Sequence, residues 1–320
     1  MKLGYNTGYW SAGPPEGVEA AIAECDKLGF EHIWTAEAYG SDALSPLAWW
    51  GANTKNVKLG TAIMQMSART PAATAMAAIT MDHLSKGRFI LGLGASGPQV
   101  VEGWYGQPYP RPLARTREFV EIVRSIVARK EPIEFQGEHY SMPLPAGTGL
   151  GKPLKSTVHP LRNEIPIYLA AEGPKNVALS AEICDGWLPL FFAPKDNQFY
   201  KTALQNGFDS AGRHGWGDFE VACTVTVIPG DDAIDHLDLI IATRTIDGTL
   251  QTSASDIKYE VVNLLPAALE VDLATRGMVD LVGRHISVKL MQANKSWGLV
   301  CADFIANLTY HNRKKEEKKY

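Results

Sequence analysis

Several features whose presence would mark a class of protein are missing from this sequence of 320 residues. No apolar stretch approaches the roughly 18 residues that a membrane helix requires, and the first residues lack the apolar core of a signal peptide. The 31 lysines and arginines are outnumbered by 35 aspartates and glutamates, giving a net charge of −4. Because no basic excess exists to neutralise phosphates, a nucleic-acid or membrane partner is not expected.

Motifs for metal binding, disulfide redox chemistry and serine hydrolysis are also absent. The four cysteines lie far apart with no CxxC pair, so we expect reduced thiols in a cytoplasmic protein. The eight histidines include no HxH or HExxH pair, which argues against a dedicated metal site. No GxSxG segment marks a nucleophile elbow. The candidates that remain are a carboxylate and glycine-rich turns that follow predicted strands.

Short apolar runs alternate with helix-periodic runs through the first 230 residues. Strands are predicted at residues 2–6, 32–36, 57–63, 89–94, 166–171, 186–191 and 220–228. Between them lie runs such as 119–127, where apolar residues recur at the spacing of one helix face. This alternation predicts parallel βα units, arranged as an open doubly wound sheet or as a barrel. The strand count and the length favour an α/β fold of the (β/α)8 TIM-barrel type.

Composition changes near residue 231, which suggests a boundary. Of 19 prolines 18 precede it, and so do 25 of 29 glycines. We expect residues 1–230 to form the barrel units that carry the site, 231–312 to be a divergent closing segment on the same domain, and 313–320 to be a charged tail. Seven strands alone would leave two unpaired edges. Part of Asp256–Ile305 is therefore expected between the first and seventh strands, as a strand or a plugging helix.

The segment from Gly92 to Gly97 matches GxGxxG directly after a predicted strand. In a dinucleotide-binding fold the helix begins within this motif, whereas prolines here are expected to delay the helix to about Arg115. The Rossmann interpretation is therefore disfavoured. The backbone amides of Ala95, Ser96 and Gly97 can still hold a phosphate, because small residues allow close approach.

Two further features follow strands. In Ala171–Lys175, Gly173 allows the backbone to turn and Pro174 suits a first helical position. Lys175 adds positive charge, so the helix start can attract an anion. The alternative is that glycine merely serves the turn geometry. Glu37 ends the second predicted strand, where its carboxylate would point into the mouth of a barrel; the alternative is a solvent-facing loop residue.

Eight segments, in chain order, carry a family resemblance: Gly29-Phe-Glu-His-Ile-Trp-Thr-Ala-Glu-Ala, Leu59-Gly-Thr-Ala-Ile, Arg69-Thr-Pro-Ala, Met81-Asp-His-Leu-Ser-Lys-Gly-Arg-Phe, Leu91-Gly-Leu-Gly-Ala-Ser-Gly, Pro112-Leu-Ala-Arg-Thr-Arg-Glu, Ile165-Pro-Ile-Tyr-Leu-Ala-Ala-Glu-Gly-Pro-Lys and Asp185-Gly-Trp-Leu-Pro. Together they resemble the luciferase-like monooxygenase (bacterial luciferase-like) superfamily, and within it the branch that uses the deazaflavin coenzyme F420. The similarity covers roughly residues 1–230, in order and at family-like spacing.

The resemblance implies a cofactor site at the carboxyl ends of the strands. A bulge with a non-proline cis peptide, which would map to Thr61, Ala62 and Ile63, would back the central part of the ring. Two turns would hold the cofactor's phosphate. The first consists of Ala95, Ser96, Gly97 and Pro98, and the second of Gly173, Pro174 and Lys175.

The implied activity is hydride transfer between coenzyme F420 and a small organic substrate, with Glu37 polarising the substrate or exchanging a proton. Two alternatives stay open: an FMN-dependent luciferase-like monooxygenase, and a barrel that binds cofactor without turnover. The Asp-His pair of the family's sugar-phosphate dehydrogenases is replaced here by Glu37-Ala38, so that activity is not expected. The substrate is not indicated, and a homodimer stays open.

Overall fold

The computed structural model describes residues 2–10, 12–190, 192, 197–213, 216–225, 242–243 and 291–292. It divides into two compact units, Met1–Thr224 and Val225–Tyr320. The strands are β1 (Gly4–Asn6), β2 (His32–Thr35), β3 (Lys58–Thr61), β4 (Met64–Gln65), β5 (Phe89–Gly94), β6 (Phe135–Gln136), β7 (Ser141–Met142), β8 (Ile167–Ala170), β9 (Gly186–Leu188), β10 (Glu220–Val221), β11 (Ala242–Thr243) and β12 (Met291–Gln292). The helices are α1 (Val18–Lys27), α2 (Leu44–Gly51), α3 (Pro71–Leu84), α4 (Pro98–Gly103), α5 (Pro112–Ala128), α6 (Pro174–Ile183) and α7 (Asn197–Ser210), with a 3₁₀ helix at Met66–Ala68.

The first unit has the TIM-type barrel fold that the sequence predicts. Its parallel strands follow the order β1-β2-β3-β5-β8-β9-β10, and β4 also pairs with β5. This order runs along the chain without the reversal of a doubly wound sheet. Each of the seven predicted strands overlaps one strand of this path. Side chains also join its two ends, because Asn6 Nδ2 donates to Thr224 Oγ1 at 3.2 Å.

Three local features differ from the sequence predictions. A helix, α4, begins at Pro98, immediately after the glycine motif, so the delay to Arg115 is wrong; α5 begins at Pro112. The two-residue strand β4 and the β6–β7 hairpin were not predicted. In the second unit, β11 and β12 pair in parallel. The expected closing element in Asp256–Ile305 otherwise lies outside the described residues, and so does the charged tail.

Successive residues of each strand face different cores. Outward residues such as Ile33, Leu59 and Leu91 join a core with the helices. Inward residues form a separate cluster of Trp34, Ile90, Tyr168 and Leu188.

The inner cluster depends on glycines at register positions beside its aromatic rings. Gly60 pairs with Trp34, and Gly186 pairs with Tyr168. A Cβ at Gly60 would lie 2.2 Å from the Trp34 ring, and one at Gly186 would lie 2.7 Å from the Tyr168 ring. Each ring therefore occupies the volume that its neighbouring strand leaves free.

We expect Gly60→Ala to destabilise the barrel, because the added methyl group overlaps the buried indole of Trp34. The free energy of unfolding, measured by urea denaturation, should fall by about 1–3 kcal/mol. Gly103→Ala is the matched control, since a Cβ there meets nothing within 4 Å. An equal loss in both variants would contradict this account of the inner cluster.

Three polar side chains, those of His32, Tyr168 and Glu220, lie together at the amino end of the inner face. Tyr168 donates its hydroxyl to Glu220 Oε2 at 2.6 Å. His32 stacks on Trp34, and its Nε2 lies 3.7 Å from Glu220 Oε2 without any hydrogen-bond partner. Burial lowers the pKa of His32, because an imidazolium there would lose its hydration.

The lowered pKa of His32 predicts a contribution to acid sensitivity. Just below the ordinary histidine pKa of about 6.5, the imidazole of His32 binds a proton in the unfolded chain but stays neutral in the folded chain. Stability should therefore fall as the pH falls through that value. In His32→Leu the loss of unfolding free energy between pH 8 and pH 5.5 should be smaller than in the parent. An unchanged loss would show that His32 does not contribute.

Candidate active site

Two turns that follow neighbouring strands form one side of the site. The first consists of residues 95–98 after β5, and the second of residues 173–175 after β8. Because β5 and β8 pair in parallel, both turns lie at adjacent carboxyl ends. Gly97 is the N-cap of α4 and Gly173 is the N-cap of α6, and neither helix has a side-chain cap. Such starts leave the earliest amides without intrahelical partners, although the amides of Val100 and Asn176 already donate to the carbonyls of Gly97 and Gly173.

The second turn is open. The backbone of Gly173 has a φ of −77°, which any residue can adopt, and a Cβ there would meet nothing within 4 Å. Gly173, Pro174 and Lys175 are all exposed. Neither the fold nor a neighbouring side chain therefore requires a glycine at this position. The space beside it can admit a ligand, and the ammonium group of Lys175 favours an anionic one.

The bulge after β3 lies beside the first turn, because β3 and β4 both pair with β5. It contains the non-proline cis peptide Ala62–Ile63, at the position that the resemblance implies. Ala62 and Ile63 pack over the inner cluster. The hydroxyl of Thr61 is fully buried, where it donates to the carbonyl of Gly92 at 2.8 Å and accepts from its N–H at 3.0 Å. This side chain therefore ties β3 to β5.

Glu37 is buried between the end of β2 and the bulge. Its Oε1 accepts from the Gln65 N–H at 2.8 Å, and its Oε2 accepts from the Ala43 N–H at 2.9 Å. Arg69 donates to both oxygens through Nη1 and Nη2. Two carboxylate oxygens have about four acceptor positions, and these four bonds use them. The catalytic role expected of Glu37 stays a prediction, but its contacts favour positioning over proton exchange.

Gln65, which sequence reasoning missed, carries an unpaired polar atom. Its Nε2 donates to the backbone oxygen of Glu37 at 3.3 Å and to Ser96 Oγ at 3.1 Å. Its Oε1 is buried without a hydrogen-bond partner. A buried acceptor without a donor is costly, so this oxygen can accept a hydrogen bond from a bound ligand. Its position two residues after Ile63 was the only available sequence signal.

Tyrosine hydroxyls tie the loop between α4 and α5 to the site. Tyr105 donates to the carbonyl of Ala38 at 3.0 Å, and Tyr109 donates to that of Ser96 at 2.7 Å. Burial raises the pKa of both phenols, so they remain protonated donors at neutral pH. These bonds hold the loop against the turn after β2 and the turn after β5.

Nothing in the described ranges groups three or more His, Cys, Asp or Glu side chains as a metal site. None of the helices within those ranges is long and apolar enough to cross a membrane. The open turn beside Lys175 and the unpaired Oε1 of Gln65 suit an organic ligand with an anionic group. The anion can lie at the turns after β5 and β8, and the rest of the ligand can lie against the bulge.

The barrel and its carboxyl-end site define a class of α/β enzyme folds, and comparison with known proteins identifies the family. A sequence profile described as luciferase-like monooxygenase matches residues 4–268. The chain belongs to this family. The match continues beyond residue 230, where the resemblance in the sequence was expected to end.

Individual relatives are consistent with this assignment. A Mycobacterium tuberculosis protein, provisionally named a coenzyme F420-dependent oxidoreductase, is 57% identical over 90% of this chain and 91% of its own length. A 5,10-methylenetetrahydromethanopterin reductase of Archaeoglobus fulgidus is 34% identical over 61% of this chain and 55% of its own length.

Two solved structures share the fold at lower identity. An F420-dependent secondary alcohol dehydrogenase, in complex with an F420-acetone adduct, has a TM-score of 0.61 and 20% identity, over 70% of this chain and 68% of its own. The coenzyme F420-dependent tetrahydromethanopterin reductase of Methanopyrus kandleri has a TM-score of 0.57 and 19% identity, over 92% of this chain and 93% of its own.

We expect Thr61→Val, which keeps the shape of the side chain, to destabilise the protein. The N–H and carbonyl of Gly92 would each lose a buried partner, so the free energy of unfolding should fall by about 1–3 kcal/mol. Thr80→Val is the control, because its hydroxyl bonds to the Met76 carbonyl on an exposed helix face. If both variants lose the same small amount, the tie between β3 and β5 is not important for stability.

Proposed function

We propose that this protein is an oxidoreductase that transfers a hydride between coenzyme F420 and a small organic substrate. The observation that carries the proposal is the 57% identity to the M. tuberculosis relative, over nine-tenths of both chains. Membership of the luciferase-like monooxygenase family supports it. When bound, the deazaflavin supplies or accepts the hydride, and the protein positions the ring and shapes the pocket.

The residues present fit such a cofactor in two respects. The exposed turn at Gly173 leaves open space beside an uncapped helix start, which suits a phosphate. The unpaired Oε1 of Gln65 suits a donor group on a polar ligand. We assign the phosphate to Ala95–Pro98 and Gly173–Lys175, and the face of the ring to Ala62 and Ile63.

The protein's own contribution to the reaction is positioning. Thr61 contributes by linking β3 to β5 through its hydrogen bonds with Gly92. Glu37 contributes by accepting from the backbone amides of Ala43 and Gln65. Tyr105 and Tyr109 keep the loop after α4 closed against the site. A substrate would then meet the ring in a fixed orientation, which lowers the entropic part of the barrier.

We infer that the protein works in the cytoplasm, without a nucleic-acid or membrane partner. Cys25 and Cys184 are buried free thiols, and burial raises the pKa of Cys184 to about 12. Such thiols are inert packing groups, as expected in a reducing compartment. We further propose a boundary at residue 230 between the barrel units and the closing segment, and sedimentation would test whether the protein forms a homodimer.

Cofactor titration tests the proposed function. Purified protein is titrated with F420 and, separately, with FMN, and the dissociation constants are measured by fluorescence. We expect F420 to bind more tightly and the reduced cofactor to be oxidised when a panel of small carbonyl and imine substrates is added. Tighter FMN binding with oxygen consumption would replace the proposal with a monooxygenase. Binding without turnover across the panel would favour a non-catalytic barrel.

The phosphate assignment is tested by adding side chains at the two turns. We expect Gly97→Val and Gly173→Val to weaken F420 binding by about tenfold or more, because a side chain keeps the ligand from the amides. Gly173→Val should leave the unfolding midpoint unchanged, since its backbone is ordinary and its surroundings are open. Gly103→Ala again serves as the control. Parental affinity in Gly173→Val would refute the assignment of phosphate to that turn.

A further inference from the structure

We propose that Arg69 is a positioning residue, which acts through the Glu37 carboxylate to hold the bulge and the Gln65 side chain in their binding geometry. No resemblance or comparison assigns a role to this arginine. The inference rests on the proposed function, because it concerns how that site is held ready for its cofactor.

Arg69 follows the 3₁₀ helix and reaches back to the end of β2. Both of its terminal nitrogens donate to the Glu37 carboxylate, one to each oxygen. The side chain of Glu37 is 3% exposed and that of Arg69 is 22% exposed. A planar guanidinium in this two-bonded arrangement fixes the orientation of the carboxylate as well as its charge.

The oriented carboxylate joins three segments of the chain. Oε1 accepts from the backbone of Gln65 in the bulge, and Oε2 accepts from the backbone of Ala43 just before α2. Arg69 itself lies at the start of the connection to α3. One ion pair therefore sets the relative positions of the bulge, the loop before α2 and the segment that leads into α3.

The position of Glu37 also fixes the orientation of the Gln65 side chain. Its Nε2 donates to the backbone oxygen of Glu37 and to Ser96 Oγ in the first phosphate turn. Because a carbonyl oxygen can only accept, Nε2 must face it, and this leaves Oε1 as the unpaired acceptor. Without Arg69, the carboxylate would be buried with two of its four bonds missing, and it would turn or move toward water.

If the ion pair served stability alone, removing Arg69 would lower the free energy of unfolding but would leave F420 affinity unchanged. The chain contains a matched control in Arg162, which donates through Nε and Nη2 to the two oxygens of Asp82. Asp82 is 1% exposed and Arg162 is 32% exposed. Arg162 also donates to the carbonyl of Phe89, which places this pair at the amino end of β5, opposite the site.

The experiment compares Arg69→Ala, Arg69→Lys and Arg162→Ala with the full-length parent. F420 dissociation constants, the split between kcat and KM, and urea unfolding are measured for each. Hydrogen–deuterium exchange of the peptides that contain Ala43 and Gln65 is followed without cofactor. Arg69→Lys also serves if Arg69→Ala fails to fold, since lysine keeps the charge but lacks the two-bonded fork.

We expect Arg69→Ala to weaken F420 binding by about tenfold or more and to speed exchange at both peptides, as lost charge-assisted bonds of this kind do. Arg69→Lys should lie between Arg69→Ala and the parent. Arg162→Ala should reduce stability comparably, with F420 affinity within about twofold of the parent and parental exchange at both peptides.

Parental exchange at Ala43 and Gln65 in the Arg69 variants would overturn the proposal. So would equal losses of F420 affinity in the Arg69 and Arg162 variants, because the pair would then act through global stability alone. Failure of the proposed function looks different, since the parent itself would then not bind F420. In that case the exchange comparison, which needs no cofactor, still decides whether Arg69 holds the bulge.

Discussion

The buried carboxylate of Glu37 is the constraint on which the carboxyl end of the barrel depends. An ionised group removed from water is tolerated only when its oxygens are paired and hydrogen-bonded. Here the donors come from Arg69 and from the backbone of Ala43 and Gln65. Because they belong to different segments, the need to satisfy one charge fixes the geometry of several loops. The group that organises the site thus has no acceptor position left for a ligand.

A second constraint is volume. Neighbouring strands lie only about 5 Å apart, and the rings of Trp34 and Tyr168 extend over the register positions beside them. Trp34 and Tyr168 are accommodated because Gly60 and Gly186 stand beside them. At the carboxyl end, three alanines and Ile63 pack against the same inner cluster: Ala62, Ala170 and Ala222 are the alanines. The inner face is therefore filled by aromatic rings in its middle, and it presents mainly alanines together with Ile63 at its carboxyl end.

The sequence predicts the regular part of this fold because that part is encoded locally. Apolar runs gave all seven strands of the main path, and the family resemblance gave the cis peptide at Ala62–Ile63. The strand β4 is too short to show a period. The helix α4 lies in a proline-rich stretch that predicts no helix, but Pro98 occupies its first turn, where proline is tolerated. No local pattern in the sequence assigns a role to Arg69 or Gln65. Their partner Glu37 lies 32 and 28 residues away, and only the folded sheet brings them together.

The two sides of the site differ in how far their binding geometry is fixed before a ligand binds. On the bulge side, Thr61, Glu37 and Gln65 are held by buried hydrogen bonds, so their geometry exists before any ligand arrives. On the turn side, Gly173 is exposed with open space beside it, and its carbonyl already accepts from the amides of Asn176 and Val177, so the turn offers a ligand the open space and the charge of Lys175. Preorganisation lowers the cost of binding where it is present. In the arrangement proposed for the cofactor, the bulge side should therefore set the orientation of the ring, and the turn side should add affinity through the attraction between Lys175 and the anionic group.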